Sequence, residues 1–454
     1  MKKIISLLFL FFFLMGVIYL NQKTYSQERE YGSSDFKERR DKLLSLISDG
    51  VAVISNSSGI SGRTRTNPEF YYLTGVDVPD AKIILIPLEI AEKTSNPESW
   101  KTTLYLPPKD PRKGVWDDPE LFPGEEAMKE TGIENTADIN VFNSDLAKLS
   151  SITDTIYLAY GTQVQFVENI KKIMPNVKIK NISPFLDEMR WSKSAKEIEI
   201  MKKACGLTVE AFKEVGRFTR PEVYEYEVEA LVNYIFRKNG AEGAAFTIIG
   251  SGPNSCILHH MKNDRKMEDG ELLVVDIGVV YKSLSTDLTR TIPVSGKFSP
   301  EQKKIYQIVL EAQKKAISIV KPGVTLAEVH KAAMDVIDEA GYGKYFIHGT
   351  SHSLNGGSPY KPTTLGLKLT GMYGKYRMNN YFAADNSLLP GCMFTIEPGI
   401  YIPEKNLGIR IEDDILVTEI GHEILTKNAP KEIDEIEDLM KEKLIYIKET
   451  RDRS

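Results

Sequence analysis

The chain has 454 residues, with 58 lysines and arginines against 63 aspartates and glutamates, so its formal net charge is −5. This mild negative charge, without a basic stripe, excludes the nucleic-acid-binding classes that depend on clustered positive charge. The three cysteines are few and odd in number, which excludes a disulfide framework. The length suits two domains after a short leader.

The N terminus carries the pattern of an export signal. Lys2 and Lys3 precede an almost wholly apolar run, Ile4–Leu20, as in the charged and apolar regions of a signal peptide. We predict a signal peptide over residues 1–26, cleaved after Ser26, and a mature chain in the periplasm or outside the cell. The run is near the lower length limit for a spanning helix, so an uncleaved N-terminal membrane anchor is the alternative.

Residues 27–190 alternate helix-like and strand-like segments and predict an α/β domain. Asp35 to Ile47 has helical spacing of its apolar side chains. The strand candidates that follow are Val51–Ser55, Ala81–Ile86, Thr103–Leu106 and Thr155–Ala159. The segment around Arg190 marks the predicted boundary.

Residues 191–454 predict a second, α+β domain that opens with a long amphipathic helix. Ser299-Pro-Glu-Gln302 predicts a helix start, with Ser299 as N-cap and Gln302 closing a capping box. Thr325-Leu-Ala-Glu328 repeats this pattern, and Gly341 is expected to end that helix.

Five potential metal ligands follow one another through this second domain. They are Asp276, Asp287, His352, Glu397 and Glu412. Four carboxylates and one imidazole form a hard, oxygen-rich set that suits Mn²⁺, Co²⁺ or Zn²⁺. The set carries enough negative charge for two divalent cations, which together can acidify a water molecule and polarise a carbonyl. The residues therefore predict hydrolysis.

The spacing of the acidic residues supports a shared site. Asp276 and Asp287 are expected to lie directly opposite each other in a hairpin centred on Tyr281 and Lys282. Glu397 and Glu412 repeat this geometry around a turn at residues 403–406. Any one of these residues alone would ordinarily be a solvated surface group, but all of them in this order favour a metal site.

Several longer strings in the chain resemble one metallopeptidase family. They are Gly250-Ser-Gly-Pro-Asn-Ser-Cys-Ile-Leu-His259, Val275-Asp-Ile-Gly278, Ser285-Thr-Asp-Leu-Thr-Arg290, His348-Gly-Thr-Ser-His352, Glu397-Pro-Gly-Ile-Tyr401 and Arg410-Ile-Glu412, with Phe36-Lys-Glu-Arg-Arg40 and Asn67–Gly75 near the N terminus. Residues 191–446 resemble the creatinase, or pita-bread, fold, and most closely aminopeptidase P. The resemblance implies a pita-bread catalytic domain, two divalent ions, peptides with proline in the second position as substrates, and a homodimer or higher oligomer.

The resemblance also implies roles for individual residues. Glu397 would both bind metal and carry a proton from water to the leaving amine. His259 and His348 would donate hydrogen bonds to the substrate or to the tetrahedral intermediate, although a core histidine is the alternative interpretation of each. Arg410 and Tyr401 flank ligands, so we predict that they orient carboxylates. The remaining histidines are predicted to face solvent: His260, His330 and His422.

One segment departs from the family. Where the family continues with a Leu-Gly-Leu-Asp-Val-His-Asp-like string, this chain reads Ser353-Leu-Asn-Gly-Gly-Ser-Pro-Tyr360, and the oxyanion histidine of the family is missing. Long loops of this kind are often functional. We predict that residues 355–390 form a lid at the mouth of the metal site that reshapes substrate access.

Three functions remain open on the sequence. The leading hypothesis is a dimetal aminopeptidase that uses Mn²⁺, or Co²⁺ or Zn²⁺, and cleaves the Xaa-Pro bond. The alternatives are a prolidase-like Xaa-Pro dipeptidase and a weakly active or non-catalytic peptide-binding protein. Retention of all five ligands disfavours the last.

Overall fold

The computed structural model describes residues 31–56, 67–97, 100–112, 115–116, 120–159, 162–355 and 387–446. Two compact units divide the chain, Met1–Asn181 and Ile182–Ser454. The division comes nine residues before the predicted boundary at residue 190, because the helix that ends at Trp191 buries this tryptophan in the core of the second unit. The predicted signal peptide and residues 356–386 of the predicted lid lie outside the described residues.

The first unit is built on a six-stranded mixed sheet. Its strands are β1 (Val51–Ser55), β2 (Lys82–Leu85), β3 (Thr103–Leu106), β4 (Asn135–Asp138), β5 (Thr155–Leu158) and β6 (Lys178–Asn181). The strand order is β4-β3-β2-β1-β5-β6, and only the β1–β2 and β2–β3 pairs are antiparallel. The predicted α/β character is confirmed, and the predicted strands differ from the observed ones by at most one residue at each end.

Among its described residues, the first unit also contains six α-helices. They are α1 (Ser33–Leu46), α2 (Pro68–Thr74), α3 (Leu88–Ala91), α4 (Glu125–Thr131), α5 (Phe142–Leu149) and α6 (Val164–Ile173). Helix α2 begins where the Asn67 side chain accepts the amide hydrogens of Glu69 and Phe70, and it ends at Gly75 with φ of 67°. Proline at the first helical position and glycine at the end fix both limits of this short helix.

The second unit contains six helices and nine strands among its described residues. The helices are α7 (Ser183–Trp191), α8 (Ala195–Phe218), α9 (Glu225–Lys238), α10 (Pro300–Ser318), α11 (Leu326–Glu339) and α12 (Ile433–Leu439). The strands are β7 (Gly243–Ser251), β8 (Leu272–Tyr281), β9 (Leu284–Ser285), β10 (Leu288–Pro293), β11 (Met393–Ile396), β12 (Gly399–Ile402), β13 (Leu407–Arg410), β14 (Asp413–Val417) and β15 (His422–Ile424). Both predicted capping boxes, at Ser299 and Thr325, are present. Gly341, with φ of 84°, follows the end of α11 as expected. Among the described residues, none of the helices is long and apolar enough to span a bilayer.

The first carboxylate hairpin has a different register from the predicted one. Its turn is at Lys282 and Ser283, which both have positive φ (52° and 63°), as a two-residue hairpin turn requires. Asp276 therefore pairs with Thr289, not with Asp287. The prediction that the two aspartates lie directly opposite each other was wrong, because neither residue of the turn is one of the types that ordinarily mark it. Asp287 lies two positions before Thr289, so it is a diagonal neighbour of Asp276.

The second carboxylate hairpin has the predicted register. The β12–β13 ladder pairs Gly399 with Arg410, and the β11–β14 ladder pairs Ile396 with Asp413. Glu397 and Glu412 fall between these two ladders at matching positions. The hairpin is interrupted there because Pro398 has no amide hydrogen to donate. The turn at residues 403–406 is also as predicted.

Candidate metal centre

The structure brings the predicted metal ligands into one group. The Nε2 atom of His352 lies 3.3 Å from Asp287 Oδ2 and 3.4 Å from Glu397 Oε1. One ligand atom from each of Asp287, His352 and Glu412 falls within 4.8 Å of the others. Asp276 faces the same group, since the charges of Asp287 and Glu397 both act on its carboxylate. Asp276 lies on β8, Asp287 directly precedes β10, and His352 lies on the loop before β11. Glu397 and Glu412 lie on the two sides of the second hairpin.

Two buried carboxylate oxygens in this group have no hydrogen-bond partner among the described residues. They are Oδ1 of Asp276 and Oε1 of Glu412. A buried carboxylate oxygen without a donor is costly, and a bound cation would compensate it. The donor set is also the hard, oxygen-rich type that divalent cations prefer. The residues present therefore fit a divalent metal site.

The electrostatics of the group point the same way. Burial raises the pKa of Asp276 and of Glu397 to about 7, although the Arg410 charge acts to lower both values. Burial, followed by the charges of Asp287 and Glu397, raises the pKa of Glu412 well above its usual range. Four acidic groups packed this closely repel one another, and bound cations would relieve that repulsion.

Arg410 donates hydrogen bonds to side chains of both hairpins. It donates from Nη2 to Asp276 Oδ2 (2.5 Å) and from Nε to Thr289 Oγ1 (3.2 Å). The Thr289 hydroxyl in turn donates to Glu412 Oε2 (2.6 Å). One guanidinium thus orients one ligand carboxylate directly and a second through a threonine, in agreement with the predicted role of Arg410.

Tyr401 connects Arg410 to His348. Its hydroxyl accepts from Arg410 Nη1 (2.9 Å) and lies 2.9 Å from His348 Nε2. Because the hydroxyl accepts from a guanidinium, its own hydrogen is available for Nε2, which places the His348 proton on Nδ1. Nδ1 lies 2.8 Å from the Gly349 carbonyl and 3.9 Å from Glu397 Oε2. The Tyr401 hydroxyl therefore hydrogen-bonds to a histidine and an arginine. Tyr401 was predicted to orient a carboxylate, and neither of these partners is one.

His348 is neutral and fully engaged in this arrangement. Burial, together with the Arg410 charge, lowers its pKa to about 3. Donation from His348 to a substrate would require Nδ1 to leave the Gly349 carbonyl. The loop between His348 and His352 is not helical, as the intervening Gly-Thr-Ser predicts.

His259 lies on an exposed loop close enough to His348 for its charge to influence that residue's pKa. The carbonyl of the preceding Leu258 accepts from Arg410 Nη2 at 3.4 Å. The loop is therefore attached to the same arginine that orients the ligands. Of the two predicted substrate-contacting histidines, His259 is the one with an exposed side chain.

Of the three histidines predicted to face solvent, His260 and His330 are buried and His422 is half-buried. His260 is 8% exposed and lies 3.1 Å from the buried Glu225 carboxylate, and His330 is 2% exposed. His422 is half-buried, with Nδ1 2.9 Å from the Val320 carbonyl. A signal for His330 was present in the sequence, because it falls on the helical stripe formed with Val329, Ala333 and Ile337.

Two further residues of the second hairpin support the site and were not predicted. Asp414 Oδ2 accepts the amide hydrogen of Asp287 (3.1 Å) and lies 3.4 Å from Cys205 Sγ. Asp413 forms buried ion pairs with Arg290 and Lys431, both at 2.7 Å. All three cysteines of the chain are unpaired. The acidic run after Glu412 was visible in the sequence, but nothing in it assigns these contacts.

Asn355 joins the His352 loop to the strand before Asp287. Its side-chain amide oxygen accepts from the Ser285 amide nitrogen, and its Nδ2 donates to the Ser285 carbonyl (2.9 Å). Asn355 has φ of 62°, a left-handed conformation that asparagine tolerates better than most residues. This contact holds Asn355, which lies within the segment that departs from the family strings.

Comparison with known proteins follows the division seen in the structure. Residues 199–419 match the family model described as metallopeptidase family M24, and residues 36–157 match that of the aminopeptidase P N-terminal domain. A Xaa-Pro aminopeptidase of Haemophilus influenzae is 30% identical over 441 residues, which cover 89% of this chain and 97% of that protein. A Xaa-Pro dipeptidase of Pyrococcus horikoshii is 36% identical over 364 residues, covering 80% of this chain and 91% of that one.

Solved structures show the same similarity. Aminopeptidase P from Escherichia coli with the inhibitor Pro-Leu superposes with a TM-score of 0.77 at 28% identity, covering 90% of this chain and 98% of that one. Proline aminopeptidase P II from Yersinia pestis also gives 0.77, at 29% identity, covering 90% and 99% of the two chains. The similarity therefore extends over both units.

Proposed function

The chain belongs to metallopeptidase family M24 and is a metal-dependent Xaa-Pro aminopeptidase of the aminopeptidase P type, and we propose that it works with two divalent metal ions and Glu397 as the proton carrier. The observation that carries this proposal is the convergence of five metal-ligand side chains with two buried, unpartnered carboxylate oxygens. Asp276, Asp287, His352, Glu397 and Glu412 would hold the ions. Bound divalent ions supply Lewis-acid polarisation of the scissile carbonyl and lower the pKa of water.

We propose that Glu397 moves the proton that peptide hydrolysis requires. When a water oxygen bonds to the carbonyl carbon and the C–N bond breaks, one proton must pass from that water to the leaving nitrogen. A Glu397 carboxylate oxygen would accept and then release it.

The histidines would act on the substrate side of the ligands. We propose that the exposed His259 donates a hydrogen bond to the substrate. His348 would help only if Nδ1 turns from the Gly349 carbonyl toward the bound peptide. Peptides with proline in the second position are the proposed substrates, because relatives along nearly the whole chain carry the Xaa-Pro aminopeptidase name.

A tripeptide assay tests this function. Purified protein with added Mn²⁺ should convert Ala-Pro-Ala into alanine and Pro-Ala without releasing proline, and should be much slower on Ala-Ala-Ala. Cleavage of the dipeptide Ala-Pro but not of Ala-Pro-Ala would favour the prolidase-like alternative. The sequence identity to the Pyrococcus dipeptidase is the reason to test it. Binding of the peptide without cleavage of either substrate would favour a non-catalytic protein.

We propose Mn²⁺ as the native metal, with Co²⁺ and Zn²⁺ as the alternatives that this ligand set tolerates. Elemental analysis of protein purified from its source, without added metal, would identify the ion. Zinc or cobalt in active protein, with manganese absent, would overturn this choice.

We propose that the chain is exported. Lys2, Lys3 and the apolar run Ile4–Leu20 support this proposal. N-terminal sequencing of the protein from an extracytoplasmic fraction should begin at Gln27. Full-length chain in the cytosol would contradict export, and full-length chain in the membrane fraction would indicate an uncleaved anchor.

A further inference from the structure

We propose that His330 is a positioning residue for the metal centre, acting through the loop that carries His348 and His352. His330 lies on α11, is 2% exposed, and belongs to a helix that supplies none of the ligands. The inference rests on the proposed function, because it concerns the same metal site. His330 is neither one of the proposed metal ligands nor one of the histidines proposed to contact the substrate.

The imidazole of His330 holds Thr350 in the middle of this loop. The Thr350 amide N–H donates to His330 Nδ1 (3.2 Å), and the Thr350 hydroxyl lies 2.7 Å from the same nitrogen. An amide N–H can only donate, so Nδ1 is an acceptor and the ring proton is on Nε2. Burial lowers the pKa of His330 to about 4, which keeps the ring neutral and Nδ1 able to accept at physiological pH.

Thr350 connects this contact to two metal ligands. Its carbonyl accepts the amide hydrogen of Glu397 (2.8 Å). Two residues later, the His352 carbonyl accepts from the Thr395 amide (3.0 Å), and the His352 amide donates to the Thr395 hydroxyl (3.1 Å). The loop therefore runs as an irregular strand beside β11. A shift of Thr350 would move His352 and Glu397 relative to each other.

The face of the same ring supports the loop at a second place. The His330 and Phe346 rings lie 5.4 Å apart at 32°, and Phe346 meets His348 edge-on at 5.4 Å. His330 thus contacts the loop on both sides of His348, once through packing and once through a hydrogen-bond acceptor. The packing could be provided by any flat apolar side chain, but the acceptor could not.

This difference between packing and hydrogen bonding gives a matched pair of variants. His330→Phe keeps a ring against Phe346 and leaves the buried Thr350 amide without its acceptor. His330→Asn loses the ring but can place Oδ1 where Nδ1 accepts. If His330 only fills the core, His330→Phe should lose less Mn²⁺ affinity than His330→Asn. If His330 positions the loop through Thr350, His330→Asn should lose less.

The experiment measures Mn²⁺ affinity of metal-free protein by titration calorimetry, with thermal unfolding of the same samples. We expect His330→Phe to weaken Mn²⁺ binding by about tenfold or more, the usual loss when a residue that orients a metal ligand is removed. His330→Asn should stay within about threefold of the parent. Thr350→Val removes only the hydroxyl, so its Mn²⁺ affinity should lie between those of His330→Phe and His330→Asn. This variant tests the proposal even if His330→Phe does not fold.

Parent-like Mn²⁺ binding by folded His330→Phe and by Thr350→Val would overturn the positioning role while leaving the metal centre intact. If His330→Asn binds Mn²⁺ more weakly than His330→Phe does, packing of the ring is what matters at this position. That result would also overturn the positioning role. Absence of Mn²⁺, Co²⁺ and Zn²⁺ binding by the parent would overturn the proposed function itself, and this inference with it.

Discussion

The two hairpins each supply two carboxylates to the metal centre but hold them in different ways. In the second hairpin, Glu397 and Glu412 occupy matching positions between two ladders of one register. In the first hairpin, Asp276 lies within the ladder opposite Thr289, and Asp287 lies outside the named strands. The amide of Asp287 is instead held by Asp414 of the second hairpin.

This difference indicates that the second hairpin organises the site. It contributes Arg410 to brace Asp276, and the Glu412 amide donates to the Thr289 carbonyl of the first hairpin (3.0 Å). The first hairpin contributes one arginine in return, since Arg290 donates to the Glu412 carbonyl and forms an ion pair with Asp413. Changes in the second hairpin should therefore disturb both pairs of carboxylates.

The largest effect is expected at Glu397. Glu397→Gln removes the proposed proton carrier and a negatively charged ligand oxygen while preserving the shape of the side chain. Turnover of Ala-Pro-Ala should fall by ~10²–10⁴-fold, the usual contribution of general acid–base catalysis. Circular dichroism would confirm that the fold is kept. Activity within tenfold of the parent would move the proton carrier elsewhere.

The next largest effect is expected at Arg410, which acts on both hairpins. Arg410→Lys keeps the charge but cannot reach Asp276, Thr289 and Tyr401 together, because lysine lacks the planar fork. Mn²⁺ affinity should fall by ~10–100-fold. Lys405→Ala, on the turn of the same hairpin and exposed, is the matched control and should bind as the parent does. Equal losses in the two variants would refute the special role of Arg410.

The pH dependence of the metal-free protein comes next. Asp276 and Glu397 have pKa values of about 7 in the fold, against ordinary values of 3.8 and 4.5. Since the folded chain binds these protons more tightly than the unfolded chain, the stabilisation is complete at low pH and is lost as the pH rises through about 7.

Thermal unfolding would show this effect directly. The Tm of metal-free parent should fall between about pH 4 and about pH 7, from the ordinary to the raised pKa values of the two groups, and should level off above that. Asp276→Asn, which remains neutral, should show a smaller fall. Metal-loaded parent should not show it, because bound cations compensate the ionised forms. A metal-free Tm that rises over this range would contradict the raised pKa values of these two buried carboxylates.

The smallest effect is expected at Asn355. Asn355→Gly keeps a residue that tolerates positive φ but removes the two side-chain contacts with Ser285 next to the first hairpin. Mn²⁺ affinity should fall by about fivefold, the equivalent of ~1 kcal/mol for one net hydrogen bond. Ser285→Ala is the control, since it leaves both Ser285 backbone groups in place. Unchanged affinity in Asn355→Gly would mean that this contact does not position the site.

Much of the site could be predicted because it depends on local patterns. The register of the second hairpin followed from the spacing of Glu397 and Glu412 and from a recognisable turn. The helix starts at Ser299 and Thr325 followed from their capping boxes. The register of the first hairpin did not follow, because Lys282 and Ser283 take positive φ without being glycine or asparagine.

Other features depend on tertiary contacts that a single sequence does not encode locally. Arg410, Asp413 and Asp414 each have a hydrogen-bond partner that lies more than a hundred residues away along the chain. His260 was predicted to face solvent because its partner, Glu225, precedes it by thirty-five residues and is itself buried. The predicted lid over residues 355–390 stays a prediction, since most of it lies outside the described residues.

The count of metal ions in active protein tests the central claim most directly. Native mass spectrometry of the parent, loaded with Mn²⁺ and assayed on Ala-Pro-Ala in the same buffer, should give two ions per chain. Asp287→Ala and Glu412→Ala should each lose at least one ion together with activity. A single ion per chain in fully active parent protein would contradict the dimetal account.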